Sequence, residues 1–410
     1  MKIPLSAIII RQGPLADSEP FLVALRKVLI GSEVADTYSM VDYELLNPVD
    51  FRVFPQNNDQ LELIFLGDFK TRMVQQSESA LIILLVASPD APEVSTLTAE
   101  WGEFVEHQEN VFLVCVSLGS ASALTIASGA PPDRIVSLGL NDLDERDLRC
   151  DFLALHAVHS ALRMLCAAAS ATPGVSGKSS SSGARVAPKL FFSHAKRDGV
   201  PLSTSLVSWI GRLKGFGFFY DTLDLNLSGD IGAQLEQAVG ASVLVALRTE
   251  IFDQRYWCQE EVFWAEKHGV PVISVDARWS VKSPASVITL DGSPSVRIPD
   301  GSLVRILQVA LEEALRLALH RARAHLIAAQ AKLSSNSWVA LSRPPSLVSL
   351  DSAAEANRLR AGPPSSAPYL VVYPNPALPK GLRDSATSVC QALIPQSQLL
   401  SLDEFRLYCA

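Results

Sequence analysis

The amino-acid sequence predicts an α/β protein: parallel sheets covered by helices on both faces, arranged as two similar units with a short C-terminal segment. Short, strongly apolar runs alternate with segments of helical periodicity, over residues 1–172 and again over 188–335. Runs such as ALIILLV (Ala80–Val86) and SVLVAL (Ser242–Leu247) are too apolar to leave one face in water, which fits strands buried on both sides. Between the two units lies PGVSGKSSSSGARVAP, whose Ser/Gly density and lack of apolar periodicity describe a linker over 173–187.

The elements are plainest in the second unit. KLFFSH (Lys189–His194) reads as a buried strand, and Leu202, Leu206, Trp209, Ile210 and Leu213 then recur at helical spacing. GFFYD (Gly217–Asp221) returns as a strand, Ile231, Leu235 and Val239 mark a second helix, and SVLVAL follows. A third helix begins near Trp257, VPVISVDA (Val270–Ala277) is the next strand, and Leu303, Leu307, Leu311, Leu315 and Ala318 form one stripe on a long helix. A strand–helix alternation of this kind predicts a flavodoxin-like sheet. In the first unit the runs SAIIIRQ, FLVALRKVL, FRVFPQ, ALIILLV and VFLVCVSL occur in the same order, and the segment beginning Leu66 can be laid over that beginning Leu227 with Gly67–Asp68 on Gly229–Asp230. The shared spacing points to an internal duplication. A second break is expected over 336–368, around two proline pairs, and YLVVYPNP (Tyr369–Pro376) and SQLLSLDEF (Ser397–Phe405) read as strands of a C-terminal appendage, 336–410 including the break.

The 410 residues suit two to three domains at about 150 residues each. Hydrophobic residues are 48% and charged residues 19% of the chain, which excludes a mainly disordered protein. A net charge of −8 argues against bulk electrostatic binding of nucleic acid or anionic membrane. The six cysteines stand far apart with no CxxC pair, the pattern of free thiols in a reducing cytosol, and the seven histidines lack ligand spacing, which argues against a metal. MKIPLSAIIIRQG is too short a run for a secretion signal, and no stretch reaches about 20 clean apolar residues, so a soluble cytoplasmic protein is expected.

There is no GxGxxG, Walker A, GxSxG or HExxH pattern. What remains is a set of polar residues at the carboxyl ends of the second unit's strands, the edge where open parallel sheets bind ligands. Ser193, His194 and Asp198 follow the first strand, and Asp221 the second, ahead of the loop Thr222–Gly229 with Leu223, Leu225 and Leu227. Trp257, Cys258 and Glu261 follow the third. Glu261 is one helical turn after Trp257, so an aromatic plate and a carboxylate share a face. Such a pair could stabilise the oxocarbenium-like state formed when a base leaves a ribosyl carbon. A solvated first-turn glutamate has the same spacing. Cys258 reads first as a packing thiol.

KLFFSHAKRD, FFYDTLDLNLSGDIGAQLEQAVGAS and YWCQEEVFWAE resemble the successive signature boxes of Toll/interleukin-1 receptor (TIR) domains, closely over about Pro188–Ala277. The resemblance implies a TIR fold and, in the catalytic branch of that family, an NAD-cleaving enzyme whose essential glutamate lies four residues after the tryptophan: Glu261 here. NAD would be substrate, with no cofactor. The resemblance also places Phe192, Ser193 and Asp198 along the nucleotide pocket, makes Thr222–Gly229 a loop that gates the pocket and mediates assembly, and implies anti-phage defence by NAD depletion after self-assembly, with an unidentified activating partner; Asp221, Leu223, Trp257 and Cys258 complete the expected substrate-binding set. The first unit departs from the pattern: Trp101 is followed four residues on by Val105, so it is expected to be a degenerate copy serving as scaffold or sensor. A non-catalytic TIR adaptor and a nucleoside deoxyribosyltransferase-like enzyme are the competing expectations.

Overall fold

The computed structural model describes residues 3–12, 20–21, 23–25, 49–55, 77–86, 92–108, 110–118, 126, 134–139, 146–170, 189–211, 218–219, 230–278, 290, 293–298, 303–359 and 368–410. The chain divides into two compact units, Met1–Val186 and Ala187–Ala410.

The first unit holds five parallel strands: β1 (Ile3–Gln12), β2 (Val49–Pro55), β3 (Ser77–Val86), β4 (Val111–Ser117) and β5 (Ile135–Gly139), in the order β2-β1-β3-β4-β5. Strands β3 and β4 are buried on both faces over Ala80–Val86 and Val111–Val116, where every residue is apolar. Ala80, Ile82, Leu84 and Val86 pack with Val94, Leu97, Trp101 and Val105 of helix α1 (Pro92–His107). Helix α2 (Arg146–Ser170) also packs on β1, β3 and β4. Each fully buried Val, Leu or Ile contributes roughly 1.5–3 kcal/mol of transfer free energy, so these strands hold much of the unit's core.

The second unit repeats the topology. Strands β6 (Lys189–His194), β7 (Phe218–Phe219), β8 (Ser242–Arg248), β9 (Val272–Asp276) and β10 (Ser295–Arg297) run in the order β10-β9-β8-β6-β7, again all parallel. Counted from the first strand of each unit, both orders are 2-1-3-4-5, the flavodoxin-like arrangement. Between the strands lie α3 (Val200–Ile210), α4 (Ile231–Gly240) and α5 (Tyr256–Lys267). Leu235 and Val239 of α4 and Cys258, Val262 and Ala265 of α5 cover the face that bears Phe191, Leu244 and Ala246. The long amphipathic helix α6 (Leu303–Gln330) packs on β8, β9 and β10. Among the described residues, no helix is long and apolar enough to cross a membrane.

The C-terminal part corrects the expectation of a break and appendage. Residues 336–359 hold strand β11 (Trp338–Ala340) and helix α7 (Leu347–Leu359). With β12 (Tyr369–Tyr373), α8 (Lys380–Leu393), β13 (Ser397–Ser401) and α9 (Leu402–Cys409) they build a third parallel sheet, ordered β11-β12-β13. It shares a core with α6, whose Ala324, Ile327 and Ala328 pack against Trp338, Leu370, Val372 and Phe405. The strand expected over Ser397–Phe405 stops at Ser401. There Ser401 accepts from the Glu404 amide, Glu404 caps the Ser401 amide, and this capping box starts α9.

Candidate active site

In a 2-1-3-4-5 sheet the chain turns back on itself between the first and third strands, and the crevice at their carboxyl ends is the usual ligand site. In the second unit those strands are β6 and β8. Ser193 is the penultimate residue of β6 and points to the face that α5 covers. There its hydroxyl donates to Glu261 Oε2 at 2.5 Å. Glu261 is only 8% exposed, so its carboxylate is largely withdrawn from water at the mouth of the sheet. Desolvating a carboxylate is costly unless donors replace water, and Ser193 is one such donor.

Helix α5 positions the rest. Trp257 lies one turn ahead of Glu261 and is 48% exposed, with its ring edge over the first turn of α4: a Cβ placed on Gly232 would sit 3.9 Å from the indole. Asp230 starts α4 by accepting from the Ala233 amide at 3.2 Å. Trp257 also neighbours Tyr256 and Trp264, at ring separations of 5.4 and 6.3 Å. Cys258 is buried in the apolar cluster, and burial, reinforced by the negative charge of Glu261, pushes its thiol up to about 12. A neutral buried thiol is a packing group and not a nucleophile near neutral pH.

Asp198 is engaged by the residues that follow β8. Thr249 Oγ1 donates to its Oδ1 at 2.7 Å and the Ile251 amide to its Oδ2 at 3.4 Å, so it ties the exit of β6 to the exit of β8. Phe192 alternates away from Phe191 and Ser193 and is buried on the other face of the strand, so it is not brought to Glu261. Asp221, Leu223 and the whole loop Thr222–Gly229 lie outside the described residues, as does Gly67–Asp68 of the repeat.

Sequence reasoning passed over the residues that close this edge. Arg248, last in β8, pairs with Asp253 at 2.6 Å with both side chains buried, and Asp276 at the end of β9 accepts from Arg278 at 2.7 and 2.9 Å. These hydrogen bonds hold the Asp276 carboxyl below its usual range. The signal available was a charged residue closing each apolar strand. Among the described residues, no group of three or more His, Cys, Asp or Glu side chains could hold a metal ion.

In the first unit, the helix between the third and fourth strands is α1, and it lacks this chemistry. Trp101 is fully buried, and the residue four beyond it is the equally buried Val105; Glu100 is half-buried and Glu103 exposed.

No protein-family model and no curated protein matches the chain. Among solved structures it is similar to a LacI-family transcriptional regulator, CcpA, from Weissella paramesenteroides with bound glucose (9% identity, 76% of this chain and 91% of that one, TM-score 0.20). It is also similar to tagatose-6-phosphate ketose/aldose isomerase from Escherichia coli (13% identity, 78% and 84%, TM-score 0.19). At such scores neither likeness bears on fold or function.

Proposed function

We propose that the chain is a TIR-type NAD glycohydrolase that breaks the nicotinamide–ribose bond, with Glu261 as the catalytic residue. One observation carries the reading: a carboxylate 8% exposed, held by Ser193 at the carboxyl ends of β6 and β8, one turn from an exposed indole. The resemblance of three ordered sequence boxes to TIR domains supports it. In the reaction the C1′–N1 bond breaks and its electron pair leaves with nicotinamide, neutralising the pyridinium. The ribosyl carbon becomes oxocarbenium-like, and the Glu261 carboxylate stabilises that charge and can hydrogen-bond the ribose hydroxyls. Water then adds its oxygen to C1′, so NAD+ and water give ADP-ribose, nicotinamide and one proton. Trp257 walls the site against bulk water. The role extends to anti-phage defence in the cytoplasm by NAD depletion, switched on by self-assembly through the Thr222–Gly229 loop, with the first unit as scaffold or sensor.

The test is NAD loss by purified, assembled protein. Glu261→Gln and Glu261→Ala should lower turnover by at least about 10²–10³-fold. Equal turnover in variant and parent would remove Glu261 from the mechanism. If neither consumes NAD under forced assembly, a non-catalytic adaptor takes its place, and cleavage of deoxynucleosides instead would indicate a deoxyribosyltransferase-like enzyme.

A further inference from the structure

Helix α5 is held at both ends by different parts of the fold. Its first turns carry Trp257 and Glu261 at the carboxyl edge of the second sheet. Its last turn meets the segment after β11: Ser346 Oγ donates to Glu266 Oε1, and α7 packs against α5. Arg321 Nη2 donates to the Gly269 carbonyl and to Ser342 Oγ, each at 2.7 Å. Arg343 extends the seam by donating to Ser293 Oγ and to the Val272 carbonyl, each at 2.8 Å. Gly269, Val272 and Ser293 lie at or just before the amino ends of β9 and β10, the edge opposite Ser193.

Glu266 is five residues beyond Glu261, about 7.5 Å along a helix rising 1.5 Å per residue. A helix of 12 residues shifts or tilts as a rod, so what holds Glu266 also sets where Glu261 stands. Placement matters to the reaction, because a misplacement of about 1 Å can cost on the order of 10²-fold in rate.

We infer that the third-sheet module, 336–410, positions Glu261 through α5, with Ser346 as a positioning residue. The inference rests on the NAD-cleaving reading, but half of its test does not. The experiment uses the full chain and measures steady-state NAD kinetics together with hydrogen exchange across Tyr256–Lys267. In Ser346→Ala, kcat should fall roughly threefold to tenfold. KM should hold within about twofold, the signature of a lost transition-state interaction. Exchange over the α5 amides should quicken. Ser346→Thr, which keeps the hydroxyl, should restore both, and Ser388→Ala, on the exposed side of the same module, should change neither. Unchanged exchange in Ser346→Ala overturns the inference, as does faster exchange with unchanged kcat in an active parent. A parent that cleaves no NAD overturns the proposed reaction and the positioning role with it, and that result appears in the unsubstituted chain before any variant is made.

Discussion

Glu261 and Ser193 are 68 residues apart, yet the site depends on their meeting. Removing the hydroxyl leaves a buried carboxylate short of one donor, at a cost of roughly 1–3 kcal/mol. Ser193→Ala should therefore melt several degrees lower and, if the proposed reaction holds, lose NAD turnover, as calorimetry and the NAD assay would reveal; an unchanged melting temperature would show that other donors satisfy Glu261. Cys258, three residues before Glu261, should resist alkylation at pH 8, since its thiol ionises only near pH 12. Peptide-resolved labelling that proceeds as fast as in unfolded chain would contradict that burial. Gly269 has φ +63, and a Cβ there would lie 2.5 Å from Ser342 Oγ. Gly269→Ala should cost about 1–3 kcal/mol through backbone strain and a forced seam, read as a lower melting temperature. The tryptophan–glutamate spacing was legible in the sequence. The Ser193 contact and the engagement of Asp198 with Thr249 were not, because spacing along a chain does not say which strand ends face each other.

At the scale of elements, the two helices between third and fourth strands divide the units. Helix α5 presents a carboxylate to a strand end, whereas α1 fills the same topological place with Trp101 and Val105 and is sealed by apolar packing. Helical periodicity does not tell the two apart, since burying a stripe requires the same spacing whatever the far side carries. In α2 the sequence does not reveal how deep the histidines sit. His156 and His159 in α2 are buried, and burial lowers them from 6.5 to about 4 and about 3. Folded, they stay neutral where the unfolded chain takes up protons, so the first unit loses stability as the pH falls from about 6.5 towards 4. Protection against hydrogen exchange across Arg146–Ser170, after correction for the intrinsic pH dependence of amide exchange, should fall over that range in the native chain, and His156→Leu should flatten the trend. Protection that is level with pH would show that these histidines titrate as in water.

At the scale of the molecule, the repeated 2-1-3-4-5 order was foreseeable from the run of strands, but the third sheet was not. Its strands β11, β12 and β13 are only three to five residues long, and the prolines and serines around β11 mask it in composition. Its core is completed by α6, a helix that sequence alone assigns to the second sheet. A chain cut after residue 335 would strip Ala324, Ile327 and Ala328 of their cover, exposing apolar surface of the kind that promotes aggregation. A fragment of 187–410 should melt cooperatively as a monodisperse species, while 187–335 should aggregate or melt at least several degrees lower. Equal behaviour in light scattering and calorimetry would refute a shared core.

Arg343, just after β11, meets the second sheet at the amino ends of β9 and β10, while Ser193 stands next to last in β6 at the other edge. On the proposed NAD-cleaving reading, a compound wedged between Ser346 and Glu266 would leave the carboxyl edge of the sheet unobstructed and still disturb the helix behind it. Its inhibition would be noncompetitive: the maximal rate would drop, and no excess of substrate would restore it.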